Sequence, residues 1–247
     1  MENKNVYYIG LDDTDFGDSI GTGALARELA QYLQRELDAT PEGITRHQFL
    51  IHPDIPYTSH NSGACIQIRL NRPQGTVEEA CKRFVGFLFH PGADPGLCVA
   101  RKEQCHSELV RFGRDAQTRV VSKEQACRLA KTHNITLEEL GGDGIGVIGA
   151  LSSCALRMDG NDGRFIGLEG IRTVKGVATV QKILENTAVE EVVDETFAEV
   201  SLNSAIETNN WVRPSLVNSK VVLRVSRDKQ TGGYFIKKEK RVVIPKE

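Results

Sequence analysis

The sequence lacks any apolar run near the roughly 18 residues that a membrane-spanning helix needs, so no such helix is expected. It has no CxxC pair among its six cysteines, so no zinc ribbon is expected. Cys98, Cys105 and His106 lie close in sequence, but small buried residues are the simpler reading. No GxxxxGK[ST] is present, so a Walker-type phosphate loop is excluded. There is also no charge excess of one sign. Lys and Arg total 31 against 33 Asp and Glu, a formal charge of -2, and bulk electrostatics give no pull toward nucleic acid. A local basic face is not excluded. Met1 to Tyr8 carries no long apolar segment of the signal-peptide kind. The expectation is a cytoplasmic chain without membrane association, with its thiols reduced.

What is present is ordinary globular material: 247 residues, 40% hydrophobic and 26% charged. That suits one large domain or two small ones. Val6 to Leu11 is a short apolar run that predicts a buried strand. Leu25, Ala26, Leu29, Ala30, Leu33 and Leu37 then fall at helical spacing and predict a helix from about Thr22 to Leu37. Phe49-Leu50-Ile51 suggests a second strand. Ala64 to Leu70 alternates as a half-buried strand does, and Thr76 caps a helix through about Leu88. Leu97 to Ala100 reads as a short strand. Ser122 and Gln125 fit a capping box at the start of a helix to about His133. Further on come a helix over Val147 to Leu156, a strand over Arg164 to Leu168 and a helix over Thr179 to Asn186. From Trp211 the pattern is mostly β: Val221 to Val225, Tyr234 to Ile236 and Arg241 to Ile244, with Gly232-Gly233 as a hairpin turn. The class is therefore mixed α and β.

Asp12-Asp13-Thr14-Asp15 directly follows the first strand. If the backbone stays extended, Asp13 and Asp15 point one way and Asp12 the other. Clustered carboxylates repel, and a divalent cation is the simplest reason for them to gather. Mg²⁺ prefers one or two carboxylates together with phosphate oxygens and water. The alternative is turn and capping duty before the helix. Thr22, between Gly21 and Gly23, sits where exposed backbone N–H groups can hold an anion, or serves only as the cap. Gly144, Gly146 and Gly149 satisfy GxGxxG, but the dinucleotide meaning needs a strand before it. Ile135 to Leu140, with Glu138 and Glu139, is poor material for a buried parallel strand. A phosphate-cradling or close-packing glycine segment fits better.

Five stretches then occur in order: IGLDDTD (Ile9 to Asp15), IPYTSHNSGA (Ile55 to Ala64), DPGLCVA (Asp94 to Ala100), RVVSKEQACRLA (Arg119 to Ala130) and GGDGIGVIGAL (Gly141 to Leu151). Together they resemble the archaeal agmatidine synthetases, which modify the wobble cytidine of an isoleucine tRNA. The resemblance covers roughly residues 5 to 180, with an echo at Trp211 to Pro214. It implies a kinase-like part at 1–72 built around DDTD and a ferredoxin-like α/β module at 73–192 holding the glycine segment 141–149. A β-rich segment at 193–247 would pack on them. It implies ATP and Mg²⁺ as cofactors, with Asp12, Asp13 and Asp15 as metal ligands and Asp13 and Thr22 as catalytic residues. Thr14, Gly21, Thr22, Gly23, His60, Asn61, Asp143, Gly144 and Gly146 would line the nucleotide. The family reads close to CTT where this chain has Gly21-Thr22-Gly23, and close to KTRGN where it has Thr58 to Ser62, so a lysine and an arginine are missing. Neither the family's zinc ribbon nor space for its OB-fold module is seen. The resemblance thus implies a phosphotransferase whose acceptor, a small molecule or nucleic acid, is smaller than a whole tRNA. Two alternatives stay open: a nucleotide- or RNA-binding protein without catalysis, and a tRNA-modification subunit that needs a partner.

Overall fold

The computed structural model describes residues 5–16, 20–55, 61–88, 90, 92–228 and 230–237. The chain forms two compact units, Met1–Ile166 and Gly167–Glu247. This division differs from the expected boundaries at 72 and 192. Residues on both sides of 72, among them Leu29, Ile66, Val77 and Leu97, share one buried core.

The first unit contains β1 (Asn5–Asp12), α1 (Thr22–Leu37), β2 (Thr40–Gln48), β3 (Ser62–Leu70), α2 (Gln74–Leu88), β4 (Gly96–Arg101), α3 (Ser107–Thr118), α4 (Lys123–Thr132), β5 (Thr136–Glu139), α5 (Gly146–Asp159) and β6 (Arg164–Gly167). Its strands are ordered β5-β4-β1-β3-β2-β6. The pairs β1/β3, β1/β4, β2/β3 and β4/β5 are all antiparallel. Helices cover both faces, and the period-2 alternation of the strands sorts the core accordingly. Tyr7, Ile9, Leu11, Ile66, Ile68, Leu97 and Val99 pack against α1 and α2. Val6, Tyr8, Cys65, Cys98 and Ala100 pack against α3, α4 and α5. Burial on both sides explains why Val6 to Leu11 reads as a continuous apolar run.

Helix α1 occupies the expected span and buries Leu25, Ala26, Leu29, Ala30 and Leu33. Each such leucine contributes about 1.5–3 kcal/mol by leaving water. It stops at Asp38, which takes a left-handed conformation at φ 58°. The Ser122 capping box is formed, with Gln125 N–H donating to Ser122 Oγ at 3.3 Å and Ser122 N–H to Gln125 Oε1 at 3.0 Å.

Several local expectations need correction. Thr76 does not cap the helix that ends at Leu88, because α2 already begins at Gln74. Phe49 to Ile51 follow β2 rather than forming it, because the turn-rich Thr40–Gln48 pairs with β3 instead. Helix α3 spans a stretch that carried no predicted element; Leu109, Phe112, Gly113 and Ala116 form its buried stripe. Finally, the residues before the glycine segment do form a strand, β5, but as an antiparallel neighbour of β4 alone. Edge strands tolerate residues such as Glu138 and Glu139. The strand–glycine–helix stretch is therefore no βαβ unit, and a dinucleotide fold is excluded.

The second unit contains β7 (Val177–Thr179), α6 (Val180–Asn186), β8 (Glu191–Val193), β9 (Ala205–Glu207), β10 (Ser215–Val217), β11 (Lys220–Arg224), β12 (Ser226–Arg227) and β13 (Tyr234–Phe235). Its core gathers Ile183, Val192, Ile206, Leu223 and Ile236. The hairpin around Gly232-Gly233 is present, with Arg227 opposite Tyr234. Arg241 to Ile244 lie outside the described residues.

Candidate active site

The acidic residues collect where β1 ends. Antiparallel pairing places Asp12 opposite Gly96 at the start of β4, so the preceding Asp94 comes to the same end of the sheet. Helix α5 lies directly on this sheet backbone. A Cβ on Gly10 would overlap Ala150 O, one on Gly96 would overlap the Gly146 backbone, and one on Gly149 would overlap the Asp12 carboxylate. The glycine segment is thus a close-packing device. It also sets Asp12 over the first turn of α5, where the helix dipole favours an anion.

The chain does not stay extended beyond Asp12, as the alternation argument assumed. Asp13 adopts a left-handed backbone at φ 52°, a conformation that costs on the order of 1 kcal/mol in a non-glycine residue. Asp15 is turned toward α1. Its Oδ1 accepts the Thr22 N–H at 3.1 Å and the Thr22 hydroxyl at 2.8 Å. The Thr14 hydroxyl donates to Thr22 Oγ1 at 3.1 Å. Thr14 and Thr22 are both buried. Asp15 therefore supplies the side-chain cap of α1, while the residue at the cap position, Gly21, gives its carbonyl to the N–H groups of Ala24 and Leu25.

Electrostatics separate the carboxylates. Burial, and then the neighbouring charge of Asp13, push the Asp12 carboxyl up to about 7. Asp13 rises to about 6, first from burial and then from the charges of Asp94 and Asp15. Arg46 acts on Asp12 in the opposite sense, but weakly. A bound cation would relieve such elevated carboxyls. Among the described residues no three His, Cys, Asp or Glu side chains form a metal cage. The donor set still fits Mg²⁺, which takes one or two protein carboxylates when phosphate oxygens fill other positions.

The remaining expected residues behave differently. Gly144, at φ 69°, leaves no space for a Cβ beside Glu139, and the Gly146 N–H donates to Asp94 O at 3.1 Å. Asp143 gives its N–H to Asp94 Oδ1 at 2.5 Å, and its carbonyl accepts from Lys123 Nζ at 2.7 Å. A Cβ at Gly23 would lie 2.9 Å from Ile166 Cδ1, so that glycine also serves packing. The Asn61 side chain donates to Leu50 O at 2.6 Å and clasps the loop that leaves β2. His60 lies outside the described residues. The structure thus brings Asp12, Asp13, Thr14, Asp15 and Thr22 together with Asp94; Gly23, Gly144 and Gly146 serve close packing, whereas Gly21 meets nothing within 4 Å.

Asp94 was missed because its place depends on pairing between strands far apart in sequence. The signal available was Pro95-Gly96, a turn running straight into a strand. A second missed feature is the stack of Phe16 on His90, ring centroids 5.7 Å apart, beside Thr14, whose carbonyl accepts the His90 N–H at 3.4 Å.

Comparison with protein families and with curated proteins returned no match. Comparison with solved structures did. Apo TiaS, the agmatidine synthetase of an isoleucine tRNA, superposes with a TM-score of 0.53 at 21% identity, over 61% of this chain and 35% of that one. The fold is that of part of TiaS. A TiaS complex with that tRNA, AMPCPP and agmatine gives 0.52 at 21% identity, over 61% and 36%. A tRNA fluorescent labelling enzyme gives 0.53 at 22% identity, over 61% and 36%. The chain spans about a third of the length of these proteins, and at such identities the likeness is one of fold.

Proposed function

We propose that the chain is an ATP- and Mg²⁺-dependent phosphotransferase of RNA modification, related in chemistry to TiaS, whose crystal structures include complexes with tRNA and ATP. The observation that carries this reading is the acidic cluster at the end of β1, where Asp12 and Asp13 gather with Asp94 beside the Asp15–Thr22 hydrogen bond. In this reading Asp12 and Asp13 would hold Mg²⁺ against the ATP phosphates, where the ion would supply charge stabilisation for phosphoryl transfer. Thr22 is the candidate transient acceptor. Its oxygen bonds to the γ-phosphorus as the bond to the β–γ bridging oxygen breaks. The hydroxyl proton passes to Asp15, to which it already donates, and ADP leaves. A second nucleophile, an RNA base or a small molecule, then takes the phosphoryl group.

The test is a thermal-shift titration with ATP, with and without Mg²⁺, on the wild type and Asp13→Ala. Saturation at about 100 times Kd should add roughly 2.7 kcal/mol, seen only with Mg²⁺ and lost in the variant. No shift with either would overturn the assignment. Intact-mass analysis after ATP exposure should show one added phosphoryl group, absent in Thr22→Val. A second reading, binding without catalysis, draws support from the loss of the family's lysine and arginine at Thr58 to Ser62. It predicts the Mg²⁺-dependent shift with no ATP turnover.

A further inference from the structure

Helices α3 and α4 line an open surface cleft of about 430 Å³ on the first unit. Sites of about 300–1,000 Å³ hold small ligands. Its floor is apolar, made by Phe112, Val121 and Leu129, and its cations are Arg111, Arg119 and Arg128, with no lysine. Two acids also line it, and both are engaged. Glu108 Oε2 lies 3.0 Å from His133 Nε2, and Asp115 pairs with Arg119 one helical turn on. Arg111 adds to the positive field at Asp115. Among the described residues neither the Arg111 nor the Arg128 guanidinium has a hydrogen-bond or ion-pair partner; the Arg128 carbonyl accepts from the Thr132 hydroxyl, at 2.9 Å. Guanidinium groups match phosphate oxygens in a two-pronged manner and stack on flat rings. An apolar floor ringed by arginines therefore asks for a ligand with a flat body and an anionic edge.

We propose that the α3–α4 cleft binds a ribonucleoside phosphate, with its base against Phe112 and Leu129 and its phosphate on Arg111 and Arg128. The inference rests on the reading of the chain as an RNA-directed enzyme only for the source of that unit, a residue of an RNA strand. Lys123, the first residue of α4, donates to the Asp143 carbonyl, and the Asp143 N–H donates to Asp94. One short hydrogen-bond relay therefore joins the helix of the cleft to the acidic cluster.

The test is fluorescence anisotropy of a labelled single-stranded oligoribonucleotide, competed with the four unlabelled nucleoside monophosphates. It compares the wild type, Arg111→Glu/Arg128→Glu and Arg111→Lys/Arg128→Lys. Charge reversal should weaken oligonucleotide binding by about tenfold per arginine. It should also flatten the log–log salt dependence by about 1.4 for two lost phosphate contacts. The lysine pair should keep the salt slope while losing affinity. Competition by monophosphates with the oligonucleotide bound no better would keep the cleft and make a free nucleotide its ligand. Absence of binding by the wild type, or binding by the charge-reversed protein equal to wild type at both low and high salt, would overturn the proposal. The Mg²⁺-dependent ATP shift at Asp13 should be the same in all three proteins. If that shift is absent while the cleft binds, the phosphotransferase reading fails and the cleft stands.

Discussion

Replacing Asp12 with asparagine should stabilise the ligand-free protein, and should do so only as the pH rises. The Asp12 carboxyl titrates near 3.8 in an unfolded chain and is pushed up to about 7 in the folded one, mainly by burial. Between those values the folded state holds a proton that the unfolded state has released. Stability from this group is therefore complete below about pH 4 and is lost as the pH rises through about 7. Displacement by about three pH units corresponds to roughly 4 kcal/mol. Asp12 keeps part of its surface in solvent, and screening brings this to about 3 kcal/mol. Asparagine fills nearly the same space and never ionises. At pH 8 Asp12→Asn should therefore exceed the wild type by about 3 kcal/mol, roughly 6–12 °C in midpoint for a unit of this size. At pH 4 the two should coincide. Urea unfolding at pH 4, 6 and 8, without divalent cations, reads this directly. Parallel loss of stability in both proteins between pH 4 and 8 would refute the assignment of a costly buried charge to Asp12. A variant less stable than wild type at pH 8 would do the same.

Three further outcomes follow from the geometry. Gly149→Ala puts a methyl group into the Asp12 carboxylate and should cost about 1–3 kcal/mol by overpacking, whereas Gly75→Ala, which meets nothing within 4 Å, should cost nothing measurable; urea midpoints compare them. Asp15→Ala removes the acceptor for two Thr22 donors and should cost about 1–2 kcal/mol as a lost helix cap, visible as a lower thermal midpoint even without nucleotide. Native thiol titration should label Cys127, which is exposed, quickly and Cys105, half-buried, slowly, while Cys65, Cys81, Cys98 and Cys154 react only in denaturant; burial also pushes the Cys81 and Cys154 thiols well up from their ordinary value, and rapid modification of any of the four would contradict the core as described.

The elements that were legible in the sequence are those whose partners do not matter. Helix α1 announces itself through its own stripe, and β1 through continuous apolarity. Helix α3 hides because its buried stripe contains Gly113 and Ala116, residues too small to register as apolar spacing. Gly113 is small for a reason: a Cβ there would crowd Leu156, Ser152 and Ala155 of α5. The unit boundary is hidden for another reason. It falls at Ile166–Gly167, inside strand β6, so no Pro-, Gly- or Ser-rich linker marks it. The acidic triplet of DDTD was legible as a candidate site, but its division of labour was not. Only the fold shows Asp15 spent on capping Thr22 and Asp94 brought in from the start of β4.

That division bears on how the site works. Helix α5 reaches the end of β1 because a Cβ at Gly10, Gly63, Gly96, Gly146 or Gly149 would clash, and glycine removes it there. This close approach leaves Asp12 only partly exposed to water and raises the cost of its charge. The same approach places Asp94 beside Asp13 and raises that carboxyl too. Packing, rather than any local sequence preference, therefore creates a demand for positive charge at this end of the sheet, and the left-handed backbone of Asp13 adds to what the fold must carry. A bound divalent cation would relieve the repulsion and release the protons. Cation affinity should then rise with pH through the range in which the two carboxyls titrate, about 6 to 7. The cation's contribution to fold stability would consequently grow through that range and level off above it, and this linkage should vanish when Asp12 and Asp13 are neutralised together. A cation that stabilised the doubly neutralised protein as strongly as the wild type would mean that this packing-built acidity serves no ion.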